Sequence, residues 1–379
     1  MKNLQATFQI VTPMFLGGAD QKVTSIRPAS IKGALRFWWR ALNWSKHPNL
    51  QSLHKQEAQL FGAAASDNDG GGQGVFLMRV CNQKITPKKE PFQSAGNGLK
   101  YLMGQGIGSR NAIAEKGEFT IKFIFRPTTS DDDKLQISNT LLLFGLLGAL
   151  GSRARHGMGS IAITSWSGCE KLCKKLPENR EKYVEILEEL LPEISSNTHP
   201  TGLPPFTAFS EESRIDFSKT HSNSEKLLNE IGLEQQMYRS YGQQGKVNGK
   251  DAEQNFVFDH DLILKATNGI SIKEAPKRVV FGLPHNYFFS STKGKADVNY
   301  APDGKEGRRS SPLLLHIHPV DDEFIAVHTL LPAQFLPCNA TIRVKSRNTS
   351  FVPAAVDWTV LHDYLNRFEG KTIYGRNNE

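Results

Sequence analysis

The sequence predicts an α+β protein of two domains. The chain has 379 residues, which exceeds the usual size of one hydrophobic core, and its 39% hydrophobic and 22% charged residues are typical of a globular protein. Periodicity in the first half predicts strands and helices in the order β-α-β-β-α-β, which is the ferredoxin-like order. We therefore expect an N-terminal ferredoxin-like domain over residues 1–168.

Two residue periods define the elements of this first half. Alternating apolar residues predict strands over residues 6–12, 75–80, 119–125 and 160–165. Apolar residues at helical spacing predict helices over 31–43 and 134–150, with Ser30 as the N-cap of the first helix. The Gly-rich stretch 67–74 is expected to be a loop.

The second half is also mixed in structure, with a less regular order. A charged helical stretch followed by a Pro-rich segment predicts a helical connector over residues 169–204, and the C-terminal domain is then expected over 205–379. Strands are predicted over 206–217, 312–319, 324–331 and 341–345, and helices over 224–241 and 356–368. The stretches 242–254 and 291–309 have no apolar period and are expected to be mobile loops.

The composition favours a cytoplasmic protein with a polyanionic partner. A formal charge of +8 has the sign that favours phosphate contacts. The four scattered cysteines are typical of reduced thiols in the cytosol, and the N-terminus lacks a secretory signal. The longest apolar stretch, 141–150, is shorter than the roughly 20 residues that cross a bilayer, so no membrane partner is expected.

No cofactor is predicted. The Walker A pattern for nucleotide phosphates is absent from the sequence. His316 and His318 share one face of a predicted strand, as two metal ligands would, but no third ligand of suitable spacing accompanies them. A structural or exposed role for both histidines is therefore favoured over a metal site.

The helix predicted over 31–43 has a cationic face. Lys32, Arg36 and Arg40 share that face, Trp39 lies at its border, and Arg27 precedes the helix. Point charges, guanidinium forks and a stacking ring together suit a single-stranded nucleic acid. The alternative is a solvated face beside a packed tryptophan.

A loop rich in glycine and arginine follows the second predicted helix. Residues 148–159 contain Arg153, Arg155 and His156 between glycines, which let a backbone approach a ligand while the arginines bind phosphate. The alternative is a helix C-cap and a tight turn with solvated arginines. Three further candidates for phosphate contact, each equally compatible with a solvated loop, are Arg110, Arg308 and Arg309.

Five segments together resemble one known family. They are 12–18 (TPMFLGG), 26–40 (IRPASIKGALRFWWR), 60–62 (LFG), 151–161 (GSRARHGMGSI) and 307–315 (GRRSSPLLL). In these segments the chain resembles the first-subunit family of the Cmr complex, the type III-B CRISPR effector, within the RAMP superfamily. The Phe-Trp-Trp-Arg helix is the specific part of this resemblance.

The resemblance implies two tandem ferredoxin-like (RRM-like, RAMP) domains, contact with target RNA or with the distal guide RNA, and assembly with other Cmr-type effector subunits. It also implies that RNA cleavage belongs to the repeated backbone subunit of such a complex. We therefore expect a non-catalytic subunit that binds single-stranded RNA in antiviral defence, without catalytic residues, metal or cofactor. Two alternatives are a metal-independent guide-processing endoribonuclease, with His156 as general base or acid, and an assembly cap that contacts only proteins.

Overall fold

The computed structural model describes residues 3–18, 25–64, 72–168, 172–192, 202–242, 244–301, 307–337 and 340–375. The elements of the first half, in chain order, are β1 (Asn3–Ile10), α1 (Pro28–Asn43), α2 (Leu50–Phe61), β2 (Gly62–Ala63), β3 (Gly72–Gln73), β4 (Phe76–Lys84), β5 (Pro87–Lys88), α3 (Pro91–Ser94), α4 (Asn97–Met103), β6 (Ala112–Ile113), β7 (Glu118–Phe125), α5 (Asp131–Leu147) and β8 (Ile161–Ser167).

The first half forms an antiparallel sheet in the order β4-β7-β1-β8. Every second residue of β1 is buried, and Phe8 stacks on Phe119 of β7 with ring centroids 5.4 Å apart. Helices α1 and α5 pack against each other and contribute to the same core. The ferredoxin-like prediction is confirmed, although α1 begins at Pro28 after the N-cap residue Arg27, so Ser30 is not the N-cap.

The second half continues with α6 (Arg180–Leu190), β9 (Arg214–His221), α7 (Ser224–Arg239), β10 (Lys246–Val247), β11 (Lys250–Asp251), α8 (Val257–Thr267), β12 (His285–Phe289), β13 (Gly294–Tyr300), β14 (Leu313–Val320), β15 (Glu323–Leu330), β16 (Thr341–Lys345), β17 (Thr349–Pro353), α9 (Thr359–Leu365) and β18 (Lys371–Gly375). Short 3₁₀ helices lie at Trp44–Lys46, Gln105–Ile107 and Lys277–Phe281.

A second ferredoxin-like sheet has the order β14-β15-β9-β18, with α7 and α9 as its helices. This repeats the β-α-β-β-α-β order of the first sheet, so the fold is α+β with two tandem ferredoxin-like domains. The strand predicted over 341–345 exists as β16, but it belongs to another sheet. The fourth strand of the ferredoxin-like sheet is β18, which the periodicity did not reveal.

A third sheet, β12-β13-β16-β17, comes from two insertions into the second domain. Its buried face and α8 form a separate core that includes Phe289, Val298 and Ile342. The prediction of a loop over 291–309 is therefore wrong for Gly294–Tyr300, and residues 302–306 lie outside the described part. Within 242–254 the structure shows the short β10–β11 pair, with residue 243 outside the described part.

Helix α6 lies in the predicted connector. The Asn179 side chain caps it by accepting from the Lys182 backbone amide at 2.9 Å. Tyr183 packs it onto α5, since the buried Tyr183 hydroxyl donates to the Leu146 carbonyl at 2.6 Å. Residues 169–171 and 193–201 are outside the described part, and the exact domain boundaries stay a prediction. In the described ranges, no helix is both long enough and apolar enough to cross a membrane.

Candidate nucleic-acid interface

The cationic face of α1 is held by one buried carboxylate of α2. Glu57 Oε1 lies 2.5 Å from Arg36 Nε and 2.7 Å from Arg40 Nη1. Arg36 also donates to the Gly62 carbonyl at 3.1 Å. The Glu57 side chain is 3% exposed, whereas the two arginines are 29% and 35% exposed. Two cations thus share one anion, which leaves a single net positive charge on a preorganised pair of guanidinium groups.

Trp39 does not belong to this surface. Its ring is fully buried against Phe61, and Nε1 donates to the Gln136 side chain at 3.1 Å. The helical turn that carries Trp39 faces α5, because a large apolar ring gains more by burial than by exposure. This corrects the expectation that Trp39 stacks on bases. Lys32 is half-buried, and burial, followed by the neighbouring Arg36, lowers the pKa of its ammonium group.

Residues 148–159, the Gly-Arg loop, pass through a narrow gap between domains. Gly157 has a φ of +79°, and a Cβ there would lie 2.5 Å from Leu228 Cδ2 and 3.1 Å from Leu315 Cδ2. Only glycine combines that left-handed backbone with that clearance. Thr12 Oγ1 donates to the Gly157 carbonyl at 2.6 Å and thereby fixes the turn.

The Gly-Arg loop docks directly onto the second domain. The Leu315 amide donates to the Arg155 carbonyl at 3.1 Å, and the Ile317 amide donates to Ser160 Oγ at 3.1 Å. The Arg155 guanidinium donates to the Ser311 carbonyl and lies 5.2 Å from the Phe37 ring centroid of α1. Two segments that the sequence marked separately, the Gly-Arg loop and residues 307–315, are therefore adjacent. We call their contact the domain junction.

Arg155 links the two domains at this junction through its hydrogen bond to Ser311. Burial lowers the pKa of its guanidinium to about 10, which still leaves the group charged at neutral pH. A hollow of about 680 Å³ opens beside Arg155. It lies between the cationic face of α1, at Arg40, and the Gly-Arg loop. It is lined by Phe37, Arg40, Leu50, Gln51, Leu53, His54, Glu57, Arg155, Phe206 and Thr207.

On the other side of the Gly-Arg loop the structure shows an arginine cluster, formed by Arg153, Arg239 and Arg278. Arg153 is an exposed residue whose guanidinium is partly desolvated by the protein, and this burial, followed by the nearby Arg239, lowers the pKa of the guanidinium. Arg239 ends α7, with its guanidinium carbon 4.3 Å from the Phe281 ring centroid. Arg278 donates to the Arg239 carbonyl at 2.9 Å and lies 3.6 Å from the buried Asp259 carboxylate.

This cluster contains hydrogen-bond donors without acceptors in the described part of the chain. Arg239 Nη2 donates to His285 Nε2 at 3.4 Å, so the ring proton of a neutral His285 is on Nδ1. Buried Arg239 Nε and His285 Nδ1 then have no described partner. An unsatisfied buried donor costs about 1–3 kcal/mol, which an anionic ligand or an ordered water would recover. Arg239 was not among the phosphate contacts expected from the sequence, although its place between Tyr238 and Tyr241 at a predicted helix end was a usable signal.

His156 lies inside this positively charged surrounding. Burial, then Arg153, Arg239 and Arg155, lower the pKa of its imidazole to about 3. Because an effective general base has a pKa near the working pH, this environment is unfavourable for the acid–base role considered above.

The other residues that the sequence suggested for phosphate contact lie outside the arginine cluster. Arg110 donates weakly to Ser152 Oγ at 3.5 Å beside a hollow of about 260 Å³, and the exposed Arg27 donates to the Gly17 carbonyl of the same hollow at 3.2 Å. Arg309 stacks over Tyr300, with its guanidinium carbon 4.6 Å from the ring centroid, whereas Arg308 is exposed.

The histidines of β14 are structural. His316 Nδ1 donates to the Gly148 carbonyl at 2.9 Å, and His318 Nδ1 then donates to His316 Nε2 at 3.2 Å. Burial lowers the pKa of both rings, that of His316 to about 3. Across the described ranges, no group of three or more His, Cys, Asp or Glu side chains is placed to hold a metal ion.

Comparison with known proteins relates this geometry to one family. The RAMP superfamily profile matches residues 7–162. The CRISPR system Cmr subunit Cmr1-2 of Pyrococcus furiosus is 36% identical over 171 residues, which cover 41% of this chain and 91% of that protein.

Two solved structures share the fold. A crystal structure of apo Cmr1 from Pyrococcus furiosus superposes with a TM-score of 0.62 at 15% identity, covering 99% of each chain. A chain of a type III-B Cmr-beta complex bound to cognate target RNA superposes with a TM-score of 0.53 at 14% identity, covering 96% of this chain and 98% of that chain. The fold is thus shared over nearly the whole length, and the sequence identity to the Pyrococcus furiosus subunit shows that this chain belongs to the Cmr1 family of the RAMP superfamily.

Proposed function

We propose that this chain is a non-catalytic RNA-binding subunit of a type III-B CRISPR RNA-guided effector complex, and that it captures single-stranded target RNA or the distal guide RNA. The observation that carries the proposal is the arginine cluster, where Arg153 of the Gly-Arg loop lies near Arg239 of the second domain and donors of two domains converge. Family membership supports it, as does the target RNA bound to the Cmr-beta complex of similar fold.

The arrangement suits phosphate and not a particular base. Arg153 is an exposed residue, and Arg239 and His285 add donors beside it. Phosphate contacts position a strand without reading its sequence, so pairing with the guide supplies specificity. We propose that Arg36 and Arg40 extend the same basic path through the hollow that Arg40 and Arg155 share. Assembly with other Cmr-type subunits and a cytoplasmic location belong to the same proposal.

The test is the affinity of the purified chain for a fluorescent single-stranded RNA over a salt series. Arg153→Gln/Arg239→Gln removes two proposed phosphate contacts, so the slope of log K against log salt should become shallower by about 1.4. Arg79→Gln/Arg180→Gln is the matched control, because it removes equal charge from exposed strand and helix positions outside the site.

Equal effects of the two double variants would show attraction by net charge alone and would contradict the proposed site. Intact RNA after incubation is expected in every sample. A cut that persists with a chelator and disappears in His156→Ala would instead support the nuclease.

A further inference from the structure

The third sheet turns a face of aromatic and basic side chains to solvent. The residues that alternate with its buried core are Asn286, Phe288, Lys295, Asp297, Asn299, Thr341, Arg343, Lys345, Thr349, Phe351 and Pro353. Phe288 is 59% exposed and Phe351 is 56% exposed. Exposure of two large rings on one regular sheet face is unusual for side chains that gain most from burial. We call this surface the outer face.

Register places a cation beside each ring. Phe288 is directly opposite Lys295, and Phe351 is directly opposite Arg343, so each pair shares the outer face with Cβ atoms about 5 Å apart. Between these pairs lies Asp297 opposite Lys345. Lys295 and Lys345 outnumber the one carboxylate of Asp297, so these three side chains have a net charge of +1. Lys295 and Lys345 form no ion pair with any described residue.

The spacing of the rings suits an extended strand. The two phenyl groups are three strands apart across the sheet, at about 4.8 Å per strand, and four residues apart along it, at about 3.4 Å per residue. The diagonal between them is therefore about 20 Å. That separation spans several nucleotides, with the lysines between the rings and within reach of a backbone. Bases stack readily on exposed aromatic rings of four-stranded sheets, and cationic side chains then follow the phosphates.

The chemistry favours nucleic acid over a protein partner. Lysine is depleted at the centre of protein interfaces, because desolvating its ammonium is costly. Here Lys295 and Lys345 lie between the two rings. An apolar partner would bury these charges, whereas an RNA strand would pair them with phosphates.

We propose that the outer face of the third sheet is a second RNA contact, in which Phe288 and Phe351 stack on bases of a single strand and Lys295 and Lys345 bind its phosphates. The proposal rests on the RNA-binding function inferred above, but it uses different residues on an inserted sheet and a different interaction, stacking. Its failure can therefore be separated from failure of the site at the arginine cluster.

The experiment measures the affinity of the full chain for a fluorescent single-stranded RNA. Phe288→Ala/Phe351→Ala should weaken binding at least about tenfold, with the salt slope unchanged because no phosphate contact is lost. Phe288→Tyr/Phe351→Tyr, which keeps both rings, should bind as the wild type. Lys295→Gln/Lys345→Gln should make the slope shallower by about 1.4.

The matched control is Phe258→Ala. Phe258 is 44% exposed on α8, the helix that packs against the same sheet, so its removal should leave affinity unchanged. Thermal melting of each variant shows that it is folded.

The outcomes separate the two sites. Unchanged affinity of the double alanine variant, with a weakened Arg153→Gln/Arg239→Gln variant, overturns this inference alone and leaves the outer face to a protein partner. Loss of affinity in the double phenylalanine variant, with the double arginine variant no weaker than its charge-matched control, supports the outer face and overturns the site at the arginine cluster. An equal loss in Phe258→Ala, or no RNA binding by the wild type, overturns the inference.

Discussion

Glu57→Gln tests whether one buried carboxylate organises the basic face of α1. At an effective dielectric constant of about 20, two unit charges 4 Å apart attract by about 4 kcal/mol. Solvent reaches about a third of each arginine, and pairs exposed to water are worth only about 0–1 kcal/mol. We therefore take a stabilisation of about 1 kcal/mol for each of the two ion pairs. Glu57→Gln removes both pairs and should lower the free energy of unfolding by about 2 kcal/mol.

Thermal denaturation measures this loss. For a domain of this size, about 2 kcal/mol corresponds to a decrease of about 4–8 °C in the melting temperature. Glu118→Gln is the matched control, since Glu118 pairs with Lys84 at 3.3 Å on an exposed surface and should change stability by less than about 0.5 kcal/mol. The same Glu57→Gln variant should bind RNA more tightly, because Arg36 and Arg40 lose the carboxylate that they share.

Two results would refute the reasoning. If Glu57→Gln melts within the range of Glu118→Gln, the buried carboxylate does not stabilise α1 on α2. If RNA affinity falls although the variant is folded, Arg36 and Arg40 need Glu57 to hold their positions, and preorganisation outweighs their net charge.

Two further predictions concern stability. Trp39→Phe should lower the free energy of unfolding by about 1–3 kcal/mol, because it leaves a cavity and removes the hydrogen bond to Gln136. The RNA affinity of the folded variant should stay unchanged. A loss of RNA affinity without a loss of stability would show that Trp39 contacts RNA. Burial lowers the pKa of His316 and of His328 to about 3, against about 6.5 when unfolded, so the unfolded state binds more protons below pH 6.5. The two neutral histidines therefore make their full contribution to the free energy of unfolding above pH 6.5. As the pH falls from 6.5 toward 3, the free energy of unfolding decreases by at most about 1.4 kcal/mol per pH unit for each histidine. Denaturant titrations that show constant stability from pH 7 to 5 would contradict this prediction.

The main strands and helices of the first domain were predicted well, because several of them have a clear strand or helix period. Strand β1 alternates over its whole length, and α1 has one apolar and one cationic face. The second domain was harder because insertions separate its strands. In β18 the short segment Lys371–Gly375 has no long apolar pattern, and its pairing with β9 is a tertiary property.

The candidate site was predicted in part. Composition marked the Gly-Arg loop and residues 307–315, but only the fold shows that Arg155 joins them through the Ser311 carbonyl. A helical projection placed Trp39 at the border of a polar face, and packing against α5 decided its burial. Arg239 lies far from Arg153 in sequence, so their proximity could not be predicted from local patterns.

The sheet order also has a consequence for the path of folding. Strand β9 pairs with both β15 and β18, whereas all four strands of the first sheet lie before residue 168. The sheet of the first domain can thus form during synthesis. In the second domain, β9 stays an unpaired edge strand until Lys371–Gly375 has been synthesised. Truncation before Lys371 should therefore cause aggregation through β9, and the Gly-Arg loop would lack a stable surface for docking until translation has passed that strand.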